Sequence, residues 1–429
     1  MRSAKDAQTE GMPPITLPYL LVMPVPVYLD AQGQRWLDAL WLKDLRLHLD
    51  YLHAFTLACP CVPRDPPPGA ERVNDPRIRF VDLPDHGRQS SRFFETARLL
   101  WQAVGEATLV HHSIGDWWPL SMNYLAALFA AWRGKVSVVV VESSGWRLMP
   151  GQPAGLGARL KAWLAETWGR WHVNRASLAV FTQAQYLRSL RTRRQDNGHV
   201  IHASWIDEDH LLSETDIRID WSHKGLGLQT PLRVLFAGRL TSAKGVDVLL
   251  DAFRATHLGG AGLALDIIGS GECLPLCQAT SRLAHEGGQL RVLDSVPYGP
   301  AFFNLLRRYH AVVVPSLSDE QPRIVYDAYA QGVPVLVSDT PGLLDCVQDG
   351  ITGRTFARGD AAALAGLFVW AHTHRDALQR MGETGWQRAR GLTHHQMHAR
   401  RHRLLLDTLT RRGLVGGPGA NPGKDSRKS

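Results

Sequence analysis

Short runs of apolar and β-branched residues recur along the chain, and longer amphipathic stretches separate them. Eight of these runs fall into two groups of four. The first group occupies residues 19–25, 107–112, 136–143 and 178–183, and the second occupies residues 233–238, 264–271, 311–316 and 333–338. This alternation is typical of parallel sheets with helices on both faces. We therefore predict an α/β protein with two Rossmann-like, doubly wound domains that face each other across a cleft.

A polar segment between the two groups gives the predicted domain boundary. Residues 220–231 contain glycines and end in proline, which favours an interdomain linker, and a length of 429 residues suits two domains. The predicted parts are an N-terminal domain at 14–219, a C-terminal domain at 232–392, a crossover helix at 393–412 and a disordered, Gly/Pro-rich tail at 413–429.

The net charge of +8 indicates an anionic partner, either a nucleotide diphosphate, an anionic lipid surface or nucleic acid. No nucleic-acid-binding module is recognisable, so nucleic acid is not predicted as a partner. The five cysteines form no CxxC pair and no set with zinc-ligand spacing. An odd number of cysteines, a polar N-terminus and the lack of a long apolar stretch predict a cytoplasmic protein. Peripheral contact with the inner face of a membrane remains open.

Two cations mark the start of the second group of runs. Residues 233–253 are expected to form a strand, a basic loop with Arg239 and Lys244, and a helix that begins near Val246. Two cations at the carboxyl edge of a sheet, beside a helix N-terminus, make an anion site from side-chain charge and backbone dipole together. A departing diphosphate needs such a site because negative charge grows on it. The alternative is a solvated loop with two ordinary surface cations.

An acidic loop and a helix follow a later strand, within residues 311–353. Asp319 and Glu320 lie in the loop, and Asp327 follows eight residues after the first of them. A carboxylate can accept two hydrogen bonds from neighbouring hydroxyl groups, which suits the diols of ribose or a hexose. The alternative is that these acids only cap a helix.

The segments GRLTSAKG, IIGSGE, PSLSDE, YDAYAQGVPV and SDTPGLLDCVQDGITG occur in this order between residues 238 and 353. Together they resemble family 4 (GT4) of the retaining glycosyltransferases with the GT-B fold, over about residues 230–390. The resemblance implies that Arg239 and Lys244 bind the diphosphate of a nucleotide-sugar donor. It also implies that Asp327 holds the ribose and Asp319 the transferred sugar, with Glu320 as the alternative sugar contact. No metal and no cofactor are implied.

The chain departs from this family at several positions. Both acidic positions usually hold glutamate, and residues 320–323 (EQPR) replace the usual glycine–aromatic–glycine loop. Gly33 is the only glycine of a loop that commonly carries a glycine pair facing the donor phosphates. Glu142 follows a strand at the position where many relatives carry a histidine beside the reacting centre, so the resemblance implies a catalytic place for this carboxylate.

Three further residues of the N-terminal half are candidate contacts to the acceptor or the sugar. His111, His112 and Asp116 follow a predicted strand and are expected near the cleft, although histidines at such positions are also frequently structural.

Two helical patterns also allow more than one interpretation. Residues 156–171 place leucines and tryptophans at helical spacing with basic residues around them. We interpret this stripe as core packing, with a membrane-interface surface as the alternative. His394, His398 and His402 lie four residues apart, a spacing that can hold a metal. No carboxylate or cysteine is expected to join them and arginines lie beside them, so no metal site is predicted.

The resulting prediction is a metal-independent hexosyltransferase. It moves a sugar from a nucleotide-diphosphate sugar to a saccharide or lipid-linked acceptor, with retention of anomeric configuration, in polysaccharide or glycoconjugate biosynthesis. The resemblance implies that a donor phosphate oxygen takes the acceptor proton, so that no protein base is required. One alternative is an inverting transferase with Asp116 or Glu142 as the base. Another is a degenerate, non-catalytic scaffold that binds a nucleotide sugar.

Overall fold

The structure is a computed structural model of the chain. It describes residues 12–85, 91–115, 118–148, 154–190, 196–225, 227–256, 262–283, 288–319 and 322–416. Two predicted site residues, Asp116 and Glu320, lie outside these ranges, as does most of the predicted tail.

The N-terminal half builds one large sheet. Its strands are β1 (Tyr19–Val22), β2 (Val27–Leu29), β3 (Arg35–Asp38), β4 (Phe55–Val62), β5 (Ala70–Arg72), β6 (Ile78–Leu83), β7 (Leu109–Ser113), β8 (Val136–Val141), β9 (Leu178–Phe181) and β10 (Gly198–Val200). Seven of them pair in parallel in the order β6-β4-β1-β7-β8-β9-β10. β2 also pairs with β4 in parallel, and β3 and β5 extend it as an antiparallel ribbon. The seven parallel strands follow the strand order of a Rossmann domain.

The C-terminal half builds a second, fully parallel sheet. Its strands are β11 (Leu232–Ala237), β12 (Leu263–Ile268), β13 (Gly288–Leu293), β14 (Ala311–Val314), β15 (Val335–Ser338) and β16 (Gly353–Phe356). Their order is β13-β12-β11-β14-β15-β16, which again is Rossmann-like, with the switch point between β11 and β14. The two predicted Rossmann-like domains are therefore confirmed.

Helices connect the strands on both faces of each sheet. They are α1 (Ala39–His48), α2 (Phe93–Glu106), α3 (Met122–Trp132), α4 (Leu156–Arg175), α5 (Ala184–Leu190), α6 (Glu214–Lys224), α7 (Val246–Ala255), α8 (Leu274–Leu283), α9 (Pro300–Leu306), α10 (Ile324–Ala330), α11 (Pro341–Cys346), α12 (Ala361–Thr373), α13 (Arg375–Ala389) and α14 (His394–Arg411). Within the described ranges, no helix combines the length and the apolar character that crossing a bilayer requires.

The central strands are apolar because helices cover both of their faces. β8 reads VSVVVV and every residue in it is buried. α2, α3 and α4 cover one face of the N-terminal sheet, and α1 and α14 cover the other. An uninterrupted valine run therefore fits a strand inside this sheet better than an alternating pattern would.

The chain crosses between the domains earlier than the sequence indicates. Ile201 packs in the N-terminal core, whereas Ile206 already packs in the C-terminal core. The first part of the predicted linker at 220–231 is the end of α6, and there the Nε1–H of Trp221 donates to the carbonyl of Gly332 at 3.0 Å. Ser222 and His223 are exposed on this helix, and their polarity explains the difference.

α14 returns the chain to the N-terminal domain. Thr393 caps the helix with a capping box, in which its hydroxyl accepts from the backbone of Gln396 and the Gln396 side chain accepts in return. Met397, Leu405 and Leu409 then pack in the N-terminal core. One helix that belongs to the end of the chain thus joins the two domains.

Candidate active site

The main candidate site is a cavity of about 560 Å³ at the switch point of the C-terminal sheet. The loops after β11 and β14 leave the sheet in opposite directions there, which opens a crevice at the carboxyl edge. Arg239, Lys244, Arg323, Asp327 and Tyr298 line it, and Leu40 from α1 contributes from the N-terminal domain. The cavity therefore opens into the cleft between the domains.

The two predicted cations lie together in this cavity. Arg239 follows β11 and is exposed, and Lys244 ends the 3-10 turn Ser242–Lys244 just before α7. Gly245 then adopts a left-handed conformation with φ 71°. A Cβ atom at this position would lie 1.8 Å from the carbonyl oxygen of Pro315, in the loop after β14. Only glycine lets the two loops approach closely enough to gather both cations at one crevice.

Asp327 is buried at the inner wall of the cavity. It lies on α10, and the Tyr298 hydroxyl donates to its Oδ1 at 2.9 Å. Burial raises the pKa of the Asp327 carboxyl to about 6, although the Tyr298 hydrogen bond acts in the opposite direction. At neutral pH the carboxylate is ionised and can accept further hydrogen bonds from a diol.

The raised pKa of Asp327 predicts that Asp327→Asn stabilises the protein. The ordinary pKa of an aspartate is 3.8, and each pKa unit corresponds to about 1.4 kcal/mol. Above pH 6 the ionised Asp327 carboxylate therefore lowers the free energy of unfolding by about 3 kcal/mol. Wild-type stability should fall as pH rises from about 4 to about 6, and the variant should escape this loss. Urea unfolding at pH 8 and at pH 4 measures the difference, which should nearly vanish at pH 4.

The matched control is Asp376→Asn on the exposed surface of α13. It removes the same charge without removing a buried carboxylate, so no gain at pH 8 is expected. Equal stability of wild type and Asp327→Asn at pH 8 would contradict the burial argument.

Asp319, the predicted sugar contact, is placed beside this cavity rather than in its lining. Its Oδ1 lies 3.3 Å from Nη1 of Arg358, which holds the carboxylate toward the loop after β16. Its backbone carbonyl accepts from the Gln183 amide and from the Tyr186 hydroxyl of the N-terminal domain. The structure thus places Asp319 at a contact between the domains. Its predicted role in binding sugar is untested.

Gly33, the other predicted donor contact, also lies away from the cavity lining. It occupies the exposed turn between β2 and β3, with φ 74° and an N–H that donates to the carbonyl of Asp30. The loop that directly follows β1 comprises residues 23–26, which contain no glycine. Gly33 was predicted as a donor contact because β2 and β3 were not recognised as strands, and the turn between them was taken for the loop after the first strand.

A second, smaller cavity of about 160 Å³ lies at the switch point of the N-terminal sheet. His111 and Glu142 line it, so the structure brings these two predicted residues together. Glu142 follows β8 and is open to solvent, yet enough protein surrounds it that partial desolvation raises the pKa of its carboxyl. The ring of His111 is buried, its Nδ1 lies 2.8 Å from the Tyr19 hydroxyl, and burial keeps its pKa well below the usual range.

His112 has a structural environment. Its Nε2 lies 2.9 Å from the Ser137 hydroxyl, and burial lowers the pKa of the ring to about 4. His112 also borders the smaller cavity, but its ring is held by the hydroxyl of Ser137 on the neighbouring strand β8. Asp116 lies outside the described residues.

Arg323 links the two cavities. Its side chain lines the larger cavity, and its guanidinium lies 4.1 Å from the ring centroid of Trp205, which lines the smaller one. The positive charge of Arg323 also lowers the pKa of Glu142, against the larger effect of desolvation. A molecule that spans both cavities would therefore pass this guanidinium.

The histidines of α14 do meet a carboxylate, contrary to the sequence expectation. Oδ1 of Asp44, on α1, lies 3.0 Å from Nε2 of His394 and 2.9 Å from Nε2 of His398. His402 instead places its Nε2 3.0 Å from the carbonyl of Pro13. The sequence did not predict this contact because α1 and α14 lie far apart along the chain.

Asp44, His394 and His398 are close enough to hold a metal ion, with donor atoms within 4.8 Å of one another. Arg401 is buried nearby, and its positive charge contributes to lowering the pKa of His398. Nδ1 of both histidines lacks a hydrogen-bond partner, whereas histidines that bind metals usually donate their second ring N–H. The arrangement fits a hydrogen-bonded contact between α1 and α14 better than a metal centre.

A further cavity of about 570 Å³ lies at the other end of the N-terminal sheet. Lys135 and Ser177 line it, directly before β8 and β9, so it faces the amino ends of the strands. Ligands of doubly wound sheets bind at the carboxyl ends. The cleft cavities are therefore the better candidates.

Tyr298 and Arg323 were missed by the sequence analysis. Tyr298 follows β13, a strand that the apolar-run pattern did not include, and the rule that site residues follow strand ends would have found it. Arg323 lies inside the EQPR segment, where departure from the family pattern drew attention to the acid alone.

Two facing Rossmann-like domains, a cavity at the switch point of the second sheet and a returning C-terminal helix define the GT-B class of fold. Residues 231–373 match the family model described as "Glycosyl transferases group 1". D-inositol 3-phosphate glycosyltransferase of Nocardia farcinica is 32% identical over 164 residues, which cover 37% of this chain and 36% of the relative. The amylovoran biosynthesis glycosyltransferase AmsK of Erwinia amylovora is 29% identical over 153 residues, 33% of this chain and 36% of that protein. The chain thus aligns with only about a third of these relatives' length.

Solved structures resemble nearly the whole chain. Anabaena HepE, in complex with UDP, has a TM-score of 0.63 at 15% identity, covering 92% of this chain and 100% of HepE. Sucrose-phosphate synthase of Thermosynechococcus elongatus has a TM-score of 0.65 at 17% identity, covering 92% and 100%. These structures confirm the predicted GT-B fold, and the family model with the two relatives confirms the predicted resemblance to GT4 glycosyltransferases.

Proposed function

We propose that this protein is a glycosyltransferase that binds a nucleotide-diphosphate sugar in the C-terminal cavity. The observation that carries the proposal is the convergence of Arg239, Lys244 and Asp327 on one cavity at a switch point. Two cations and one buried carboxylate match the two parts of such a donor, the diphosphate and a sugar diol. A hexosyltransferase reaction follows from this donor class.

The proposed chemistry uses the cations on the leaving group. Breaking the bond between sugar and diphosphate places negative charge on the diphosphate, and fixed cations stabilise that charge more in the transition state than in the bound donor. Arg239 can donate to two oxygens at once, whereas Lys244 acts as a point charge. Neither role requires a metal or a cofactor.

The acceptor is proposed to enter beside the N-terminal cavity, where Glu142 and His111 lie. Attack from the face of the departing diphosphate gives retention, and a donor phosphate oxygen then takes the acceptor proton. Glu142 would orient the acceptor hydroxyl or stabilise positive charge on the sugar ring. An inverting reaction would instead require Glu142 as a base, and the position of this carboxylate at the end of β8, beside the N-terminal cavity, allows that role.

Similar proteins guide the choice of substrates. HepE has been crystallised with UDP-glucose as well as with UDP, which makes UDP-sugars the first donors to test. A D-inositol 3-phosphate glycosyltransferase and an amylovoran biosynthesis glycosyltransferase are among the relatives. A saccharide or lipid-linked acceptor in polysaccharide or glycoconjugate biosynthesis is therefore proposed. The proposed setting is the cytoplasm, at the inner face of a membrane where the acceptor is lipid-linked.

The donor site predicts nucleotide-dependent stabilisation without metal. Purified protein is heated with UDP-, GDP-, ADP- and TDP-sugars in the presence of EDTA. One nucleotide class at about 100 times its dissociation constant should raise the melting temperature by about 5 °C. No shift with any of the four nucleotides would contradict the donor-site assignment.

The rival function is a scaffold that binds a nucleotide sugar without turning it over. The pairing of Asp319 with Arg358 favours this alternative, because it holds the predicted sugar contact outside the cavity lining. A scaffold would show the thermal shift but would neither hydrolyse nor transfer the sugar. Product analysis therefore separates the two functions.

A further inference from the structure

α4 exposes a row of large apolar side chains, for which the sequence pattern had favoured core packing. The exposed fractions are 86% for Leu156, 57% for Leu160, 63% for Trp163, 53% for Leu164 and 38% for Trp171. We call these five residues the α4 apolar stripe. Single exposed leucines are ordinary, but a contiguous row of this size on a helix marks an interaction surface.

Basic residues border the stripe on both sides. At 100° per residue the stripe spans an arc of about 100° around the helix. Arg159 and Arg170 project just beyond one border, and Lys161 and Arg175 lie beyond the other. Glu166 is the only acidic residue of α4, and it is paired with Arg147 at 2.7 Å. The surface around the stripe is therefore positively charged.

Exposed tryptophans extend beyond α4. Among the described residues, every tryptophan classed as an exposed large hydrophobic lies between positions 101 and 171, and Trp118 and Trp132 are 56% and 76% exposed. α2, α3 and α4 form one layer on a single face of the N-terminal sheet. Tryptophan and arginine around an apolar row are the composition of surfaces that lie at the boundary between lipid and water.

The stripe begins beside the cleft. In a β-α connection the helix starts at the carboxyl edge of the sheet, and α4 follows β8, which ends directly before Glu142. Leu156 and Leu160 therefore lie toward the edge where the acceptor is proposed to enter. A surface that held a bilayer there would bring a lipid-linked acceptor to the reacting centre.

We propose that the α4 apolar stripe docks on an anionic lipid bilayer, with the leucines and tryptophans in the interface and the basic residues at the headgroups. This inference rests on the proposed function, because it assigns the lipid-linked class of acceptor to the same site. Charge complementarity selects an anionic lipid surface over a neutral one.

The test is sedimentation of the full chain with vesicles of phosphatidylcholine alone and with one-third phosphatidylglycerol. Binding is expected on the anionic vesicles and should weaken with salt. The affinity of the double variant Leu160→Ser/Trp163→Ser for the anionic vesicles should fall by at least about tenfold. Arg159→Gln and Lys161→Gln should each weaken binding about fivefold. The matched control is Leu283→Ser, which removes an 80% exposed leucine from α8 and should change nothing.

Several results would overturn the proposal. The first is a failure of wild type to sediment with anionic vesicles, and the second is sedimentation of the double variant to the same extent as wild type. The third contradicting result is a concentration-dependent dimer, seen by analytical ultracentrifugation, that Leu160→Ser/Trp163→Ser abolishes. Such a dimer would make the α4 apolar stripe a contact between two copies of the chain. Nucleotide thermal shifts in the same variants should equal wild type. If no nucleotide shifts the melting temperature of wild type, the donor-site proposal fails. The vesicle experiment still decides whether the α4 apolar stripe binds lipid.

Discussion

Arg239→Ala combined with Lys244→Ala is expected to lower kcat/KM for sugar transfer by about 10³-fold or more. Each cation contributes a charge-assisted contact to the diphosphate, and losing one such contact typically costs about 2–3 kcal/mol in the transition state. Because charge on the leaving group grows during bond breaking, kcat should fall as well as donor affinity. Initial rates over a range of donor concentrations, at saturating acceptor, separate the two effects.

The control for this variant keeps the number of removed charges the same. Arg233→Ala combined with Arg282→Ala removes two exposed arginines of the same domain that do not line the cavity. Its rate should stay within about twofold of wild type, since distant surface charges act weakly through water. A loss of similar size in both double variants would mean that general positive charge, and not the site, supports the reaction.

Gly245→Ala is expected to cost at least about 3 kcal/mol of the free energy of unfolding. The added Cβ would lie 1.8 Å from the Pro315 carbonyl oxygen, and the backbone there has φ 71°. The loops after β11 and β14 would have to separate. Urea unfolding measures the stability, and nucleotide thermal shift measures whether Arg239 and Lys244 still form a site.

A matched glycine substitution isolates the effect of this close approach. Gly366→Ala lies within α12, where no heavy atom lies within 4 Å of the added Cβ. It should leave stability unchanged or raise it by about 0.5–1 kcal/mol, because alanine favours a helix more than glycine does. If Gly245→Ala is as stable as wild type, the two loops are not held together in the way described.

The sequence predicted the fold well where strands are fully buried. Uninterrupted valine runs such as that of β8 identify central parallel strands, because both faces of these strands need apolar partners. β4 was missed because FTLACPCV mixes proline and cysteine into the run, although it pairs with β1, β2 and β6 near the centre of the sheet.

The candidate site was predictable to the extent that its residues follow strands. Arg239 and Lys244 follow β11 directly, so placing that strand also placed them at the carboxyl edge. The contact between Asp44 and α14 joins residues about 350 positions apart, which no local pattern can reveal. Asp319 was placed correctly along the chain, but its side-chain direction depends on Arg358, in a loop 39 residues later.

The α4 stripe shows a further limit of sequence patterns. Periodic leucines and tryptophans predict one apolar face on a helix, and they do so equally for a buried face and for a face that meets a lipid surface. The row on α4 stays exposed from Leu156 to Trp171, whereas Val173, which lies about 100° around the helix from Leu156, is buried.

The decisive measurement of the proposed glycosyltransferase activity is the release of nucleoside diphosphate from the donor that stabilises the protein. It is made with EDTA present and is combined with anomeric analysis of the sugar product. A retaining glycosyltransferase should show slow hydrolysis without acceptor, faster release with an acceptor, retention of configuration, and release slowed by about 10³-fold or more in Arg239→Ala/Lys244→Ala. Binding of the donor without any release in wild type, with or without acceptors, would contradict the account and identify the protein as a nucleotide-sugar-binding scaffold.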